Sequence, residues 1–254
     1  MQRIACALCL TPGPLRESHI IPNAYFRAMK RQRSGQLITF NTIPGEPASL
    51  SNESWSEPML CECCERRFSK LETKCIRSLR VTAIDIQQRC KDGTSLHQYN
   101  FATFSRFLAS IFWRAAVSYQ KAFAAVAIPS SLAESIRLNL LNGVIPVHPY
   151  ISCQISKIVD GSGRIATTQF EHLALSPQIK LLKGTARYTF IFAGYVVRYY
   201  VPSCPQRYRR QLGFVRSQTN LFIPAVFMKS IPELMCALSS GYAKAALAQT
   251  TFEA

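Results

Sequence analysis

The chain lacks any apolar run long enough to cross a membrane. The longest candidate, from Tyr188 to Val201, is interrupted by Arg198, whereas a spanning helix needs about 20 apolar residues. The apolar residues from Ile4 to Leu10 are too few for the core of a signal peptide, and they include a Cys-x-x-Cys pair. We therefore expect a cytosolic protein that does not enter a membrane.

Acidic residues are also scarce. The chain has 14 Asp and Glu against 30 Lys and Arg, which gives a formal net charge of +16. A field of this sign attracts polyanions, and nucleic acid is the first partner to consider. An anionic membrane surface is the alternative, but the basic residues are spread along the chain and do not form one amphipathic block. Nucleic acid, with double-stranded DNA first, is the predicted partner.

Cysteine, in contrast, is abundant, with ten residues, four of them in two Cys-x-x-Cys pairs. In a reducing compartment this number favours metal ligands and core thiols over a disulfide framework. Cys6 with Cys9 and Cys61 with Cys64 supply the four thiolates of a closed, tetrahedral structural Zn²⁺ site. Buried free thiols and a redox pair are the alternatives. Cys63, next to the second pair, leaves open which thiolates bind.

The residues that carry chemistry are concentrated in the first third of the chain. Residues 1–82 contain both cysteine pairs and a lone histidine, whereas residues 95–254 show ordinary helix and strand patterns. We predict two domains with these boundaries, in an α+β fold. The second domain is predicted to be helical and then β-rich, and it is a candidate surface for a protein partner or a second copy of the chain.

Apolar spacing predicts the main elements of both parts. Residues 65–80 repeat apolar side chains at helical intervals, from Phe68 to Leu79. Further helices are predicted at 101–123, after Ser131 and at 231–248. Runs of β-branched and aromatic residues predict a mostly antiparallel sheet from 150–159, 165–175, 187–201 and 221–227.

Two short segments carry a resemblance to a known family. Leu15-Arg16-Glu17-Ser18-His19-Ile20-Ile21-Pro22 lies between the cysteine pairs, and the second pair leads directly into Glu65-Arg66-Arg67-Phe68-Ser69-Lys70-Leu71-Glu72. This order resembles HNH, or ββα-metal, endonucleases of the zinc-knuckle type over residues 6 to 72. The resemblance implies an N-terminal zinc-stapled, treble-clef-like ββα-metal nuclease module, and small proteins of this kind often act in bacterial restriction or phage defence.

The resemblance also implies roles for individual residues. His19 stands at the position of the general base, and Glu65 at that of a ligand for the catalytic cation, Mg²⁺ or Mn²⁺. Asn52, with Asn41 as the alternative, corresponds to the asparagine that orients the hairpin. Ser18 stands where the family usually has Asp or Glu, so the first metal ligand differs. Glu72 and Lys70 are secondary candidates for the site.

The chemistry expected of His19 agrees with its residue type. A histidine with an ordinary pKa near 6.5 accepts a proton from water close to neutral pH, and a nearby divalent cation stabilises the charge that develops on the leaving oxygen. A structural histidine or an additional zinc ligand is the alternative interpretation. The remaining histidines have no partners at ligand spacing.

The helix predicted after the second cysteine pair has one basic face. Measured from Glu65 at 100° per residue, its cations fall between about 100° and 200°, opposite the apolar stripe. These candidates for phosphate contact are Arg66, Arg67, Lys70, Lys74 and Arg77. A solvated face without a ligand is the alternative.

The sequence thus predicts a metal-dependent HNH endonuclease that hydrolyses phosphodiester bonds in nucleic acid. A noncatalytic zinc-dependent nucleic-acid-binding module is the main alternative, and Ser18 favours it. A nuclease subunit that is active only within a larger complex is the other.

Overall fold

The computed structural model describes residues 3–32, 38–41, 49–51, 53–89, 92–96, 99–145 and 150–239. In chain order the elements are β1 (Arg16–His19), α1 (Asn23–Gln32), β2 (Ile38–Asn41), β3 (Ser49–Ser51), β4 (Ser56–Leu60), α2 (Glu62–Arg89), β5 (Gly93–Leu96), α3 (Phe101–Val117), α4 (Ser130–Leu141), β6 (Ser152–Val159), β7 (Leu173–Leu182), β8 (Thr185–Phe192), β9 (Tyr195–Val201), α5 (Gln206–Arg209) and β10 (Leu221–Phe227). Short 3-10 helices cover Lys121–Phe123, Thr167–His172 and Met228–Ser230, and a helical segment covers residues 232–239. The predicted α+β class is confirmed.

The N-terminal part is built on two short strands and one long helix. β1 pairs antiparallel with β4, so that His19 lies opposite Ser56. α2 follows β4 directly and is longer than the predicted helix, because its apolar stripe continues. Phe68, Cys75 and Leu79 of that stripe are buried, as their helical spacing predicts.

The other eight strands form one sheet with the order β3-β2-β7-β8-β9-β6-β10-β5. Its contacts are antiparallel except for those of β2 with β7 and of β6 with β10, which confirms the mostly antiparallel sheet. β2 and β3 come from the segment between β1 and β4. The N-terminal part of the chain therefore contributes β3 and β2 at one edge of the large sheet.

Helix α3 is the central helix of the molecule. Most of its residues between Phe104 and Ala115 are buried, and Asn100 caps its N-terminus by accepting a hydrogen bond from the main-chain N–H of Thr103 at 2.8 Å. On the sheet side, Phe112 stacks on Tyr199 with ring centroids 4.7 Å apart. On the other side, Trp113 contacts Phe68 of α2. α3 thus joins the sheet to the N-terminal part.

The opposite face of the sheet has its own apolar cluster. Successive residues of β9 alternate between the two faces: Val197 packs towards α3, and Val196 packs into the second cluster. That cluster includes Ile231 and Leu234 from the C-terminal helical segment. The helix predicted for residues 231–248 is observed at 232–239, and the remaining predicted residues lie outside those described.

Residues from both predicted domains contribute to a single buried cluster. Phe26 and Trp55 from the first range and Phe123 from the second form a chain of edge-to-face aromatic contacts, with ring centroids 5.9 and 5.4 Å apart. α2 also extends past residue 82. The boundary between residues 1–82 and 95–254 stays a prediction, and the two ranges share their core.

One predicted strand is divided in the structure. The run from Arg187 to Val201 forms two strands, β8 and β9, joined at Ala193 and Gly194. Both turn residues have positive φ, 52° and 73°, as a tight hairpin turn between twisted strands requires. Alanine rarely adopts this conformation, so the composition gave no turn signal.

No helix among the described residues combines the length and the apolar content that crossing a membrane requires.

We predict that Phe112→Ala lowers the free energy of unfolding by about 3–5 kcal/mol, because it leaves a cavity beneath three aromatic rings of the sheet. Leu138→Ala on α4 is the control. Its side chain is 42% exposed, and its removal should change the free energy by no more than about 0.5 kcal/mol. Urea unfolding measures both, and equal effects would contradict the central position of α3.

Candidate metal centre and adjacent cleft

Four cysteine side chains from two distant segments of the chain meet at the start of α2. The sulfur atoms of Cys6, Cys9, Cys61 and Cys64 all lie within 4.8 Å of one another, and the Sγ atoms of Cys9 and Cys61 are 3.7 Å apart. Tetrahedral zinc with Zn–S bonds near 2.3 Å requires sulfur atoms about 3.8 Å apart. The predicted thiol quartet could therefore hold a zinc ion. Cys63 is exposed and lies outside it.

Local backbone structure places the two pairs. The first pair lies in a tight turn, in which the main-chain N–H of Leu10 donates to the carbonyl of Cys6 at 2.8 Å. Leu10 has a φ of 63°, a left-handed conformation. The second pair spans the start of α2, where the N–H of Glu65 donates to the carbonyl of Cys61. A main-chain hydrogen bond from Ala7 to Met59 joins the turn to β4.

Burial and hydrogen bonding act differently on the thiols of the quartet. Burial raises the pKa values of Cys6 and Cys64, whereas hydrogen bonds from Thr11 lower that of Cys9 to about 6. Buried thiolates without a counter-charge are costly, and a metal ion that displaces their protons removes this cost.

Arg137 of α4 supports the first pair from outside. Its guanidinium donates to the main-chain carbonyl of Leu8, between Cys6 and Cys9, and it also pairs with Glu134 at 2.7 Å. The spacing of residues around Arg137 does not indicate a contact with Leu8, which lies 129 residues earlier in the chain.

A cleft of about 550 Å³ lies between β1, α1 and α2, with Arg114 of α3 at its base. His19 and Glu65, the predicted base and cation ligand, both line it. Its full lining is Glu17, His19, Asn23, Ala24, Arg27, Glu65, Ser69, Glu72, Thr73, Ile76, Arg77 and Arg114. Asn52 lies outside the described residues, and Asn41 is the last residue of β2 in the large sheet.

Ser18 connects the two-stranded β1–β4 sheet to α2. Its side chain is fully buried, and its hydroxyl donates a hydrogen bond to Oε2 of Glu65 at 2.7 Å. Ser18, which departs from the HNH pattern, thus orients the Glu65 carboxylate on α2. The sequence identified Ser18 only as a missing acid, and this contact was not predicted.

Arg114 fixes the main chain at His19. It is 1% exposed. Its Nη1 donates to the carbonyl oxygen of His19 at 2.5 Å and its Nη2 to Oε1 of Glu72 at 2.6 Å. Glu72 therefore lines the cleft as half of an ion pair. Burial raises its pKa, and Arg114 opposes that effect.

His19 is held neutral by its surroundings. Burial, and then the positive charges of Arg114, Lys30 and Arg27, lower its pKa to about 4. Its ring lies 6.1 Å from that of Phe26 between centroids. Near neutral pH the imidazole is unprotonated and can accept a proton.

Three carboxylates, those of Glu17, Glu65 and Glu72, line the cleft. Across the part of the chain that the structure describes, the thiol quartet is the only group of three or more His, Cys, Asp or Glu side chains close enough to share one ion. A cation beside Glu65 would therefore take most of its ligands from water or from a bound phosphate.

All five predicted phosphate contacts on α2 are exposed. Arg66 pairs with Glu62 at 3.0 Å, and Arg67 donates to the carbonyl of Leu141. Of the five, Arg77 lines the cleft. Lys70 and Lys74 face a separate groove.

Neither models of known protein families, nor curated proteins, nor solved structures give a match to this chain.

We predict that Cys64→Ser abolishes tight zinc binding and unfolds the protein, because the apparent binding free energy of a structural zinc is on the order of 10 kcal/mol. Cys63→Ser, at the exposed neighbouring position, is the matched control. Metal analysis and thermal unfolding of both variants measure the effect. Equal zinc content and equal stability in the two variants would rule out the quartet as a zinc site.

We predict that His19 titrates near pH 4 in the zinc-loaded protein without added Mg²⁺, because burial and three cations oppose its protonation. The unfolded state takes up this proton near pH 6.5, so the His19 contribution to stability is complete above pH 6.5 and declines as pH falls towards 4. An NMR titration of the histidine ring protons, assigned with His19→Gln, provides the midpoint. A midpoint near 6.5 would show that the ring is solvated.

Proposed function

We propose that this protein is a metal-dependent endonuclease of the HNH, or ββα-metal, class. The observation that carries the proposal is that His19 of β1 and Glu65 of α2 line one cleft, with Ser18 hydrogen-bonded to Glu65. The order of a cysteine turn, two antiparallel strands and a helix that begins at the second cysteine pair supports a treble-clef-like module. In this proposal the quartet holds structural zinc.

His19 is the general base. Its side chain enters the cleft from the end of β1, and Arg114 holds the main chain there through the carbonyl oxygen. Its lowered pKa leaves the imidazole unprotonated near neutral pH and also makes it a weaker base than a solvated histidine. The ring nitrogen takes a proton from water as the water oxygen bonds to phosphorus. The P–O bond to the leaving oxygen breaks, and that oxygen leaves with the electron pair and takes a proton from solvent.

Glu65 would hold the divalent cation, Mg²⁺ or Mn²⁺, with Glu17 and Glu72 in the same lining. A cation of this kind stabilises the negative charge that develops on the leaving oxygen. Mg²⁺ commonly binds through one or two carboxylates together with water and substrate phosphate, so a cleft lined by a few carboxylates suits it. Ser18 orients the Glu65 carboxylate for this contact.

The charge around the cleft fits a polyanionic substrate. Arg27 of α1 and Arg77 of α2 both line the cleft, and the chain has a net charge of +16. Cations of this kind bind phosphates without reading a base sequence. We propose nucleic acid, with double-stranded DNA first, as the substrate. A role in bacterial defence and assembly with a partner or a second copy stay predictions.

A noncatalytic zinc-dependent nucleic-acid-binding module is the second candidate. The observation that favours it is that the described residues of the cleft include no group of three metal ligands. It predicts binding that survives His19→Ala, without cleavage by the wild type. A subunit that cuts only within a larger complex would behave in the same way until its partner is added.

The proposal predicts that the zinc-loaded protein nicks supercoiled plasmid when Mg²⁺ or Mn²⁺ is added, and that His19→Ala reduces the rate by about 100-fold or more because the base is lost. Glu65→Gln should also lose cutting. Glu62→Gln is the matched control, since Glu62 lies in the same helical turn, is exposed and is absent from the cleft lining. Gel assays at low salt measure the rates.

Zinc content and DNA binding of each variant separate the outcomes. Cutting that requires the added metal, is lost in His19→Ala and Glu65→Gln, and remains in Glu62→Gln supports the nuclease. Plasmid binding without cutting by the wild type supports the binding module instead.

A further inference from the structure

A second recess lies on the side of α2 away from the cleft. This groove has a volume of about 370 Å³ and runs between α2, α3 and the end of α4. Four of its lining residues are cationic and none is acidic. The cations are Arg67, Lys70, Lys74 and Arg106, and the other lining residues are Phe68, Leu71, Thr103, Leu140, Leu141, Asn142 and Gly143.

Two of these cations are held in place by the end of α4. Arg67 donates to the carbonyl of Leu141, and Arg106 donates to that of Gly143 at 3.2 Å. A guanidinium has five N–H donors, so each retains donors for an anion after these bonds. Orienting the two groups in advance lowers the conformational entropy that binding would cost.

The two lysines of the groove add exposed positive charge beside the two arginines. Lys70 and Lys74 are exposed, and neither pairs with an acidic side chain among the described residues. They lie one helical turn apart on α2, about 6 Å along its axis. This spacing suits successive phosphates of a nucleic-acid strand.

A third recess shares lining residues with both the groove and the cleft. It has a volume of about 420 Å³ and lies between α2, β5 and α3. It shares Thr73 and Arg77 with the cleft, and it shares Lys74 and Thr103 with the groove. Its lining also contains no acid. Beyond the cleft, the two neighbouring recesses across α2 are therefore lined by cations and by no acids.

We propose that a nucleic-acid strand extends from the cleft across Thr73 and Lys74 and lies in this groove, where Arg67, Lys70, Lys74 and Arg106 bind its phosphates. The passage through the cleft rests on the proposed function, whereas the groove is a binding site of its own. Arg66, which pairs with Glu62, does not belong to this path.

The test measures binding without cutting. In a His19→Ala background, with zinc bound and no added Mg²⁺, the fluorescence anisotropy of labelled single-stranded DNA, duplex DNA and RNA of one sequence gives the affinity. We expect Lys70→Gln/Lys74→Gln to weaken binding of at least one of these probes by about tenfold and to reduce its salt slope by about 2, because two phosphate contacts are lost.

Lys180→Gln/Lys183→Gln is the matched control. Both lysines are exposed at the β7–β8 hairpin, and the substitution removes the same net charge. Here we expect less than about a twofold change in affinity, since no contact is lost. Equal weakening by the two double variants would overturn the proposal in favour of a general charge effect, and so would unchanged binding by both.

The outcome is independent of the plasmid assay. Selective weakening by the α2 pair supports the groove even if the wild type cuts nothing, in which case the nuclease proposal fails alone. The probe that shows the selective loss identifies the nucleic acid and its strandedness.

Discussion

The thiols of Cys6, Cys9, Cys61 and Cys64 meet where the long helix α2 begins, next to the N-terminal turn. A zinc ion on these sulfurs would join two segments that are separated by α1, β2 and β3. The start of α2 carries Glu65 only one residue beyond Cys64. A metal ion on the quartet would therefore also hold this carboxylate at the end of β1, where Ser18 and His19 lie.

The buried guanidinium of Arg114 extends this constraint into the rest of the molecule. It is desolvated within α3, and a desolvated cation is tolerated only when its donors are satisfied. Glu72 and the carbonyl of His19 satisfy them, and Ser110 accepts a third bond from within the helix. The core helix thus contacts the cleft directly. The position of His19 therefore depends on the packing of α3 against the sheet as well as on the N-terminal part.

Charge is arranged differently on the two sides of α2. Towards the cleft, acids stand among the cations and suit a divalent ion. Away from the cleft, the lining is cationic and suits phosphates alone. An exposed, singly charged helix face often has no ligand. Here two arginines of the groove are oriented by residues at and just after the end of α4. The recesses also share lining residues, and both features distinguish this surface from a solvated helix face.

The sequence determined the features that follow from local spacing. Paired cysteines identified the quartet because the turn of Cys-x-x-Cys directs two sulfurs to one ion, and helical periodicity identified the buried stripe of α2. Only the tertiary structure decided the contacts of Ser18 with Glu65, Arg114 with Glu72 and Arg137 with Leu8, which are 47, 42 and 129 residues apart in the chain. It also decided that residues between β1 and β4 join the large sheet. A periodic pattern in the sequence indicates which face of a helix or strand is buried. Which element packs on that face is set by the tertiary arrangement, and a pattern in a single sequence does not encode this arrangement.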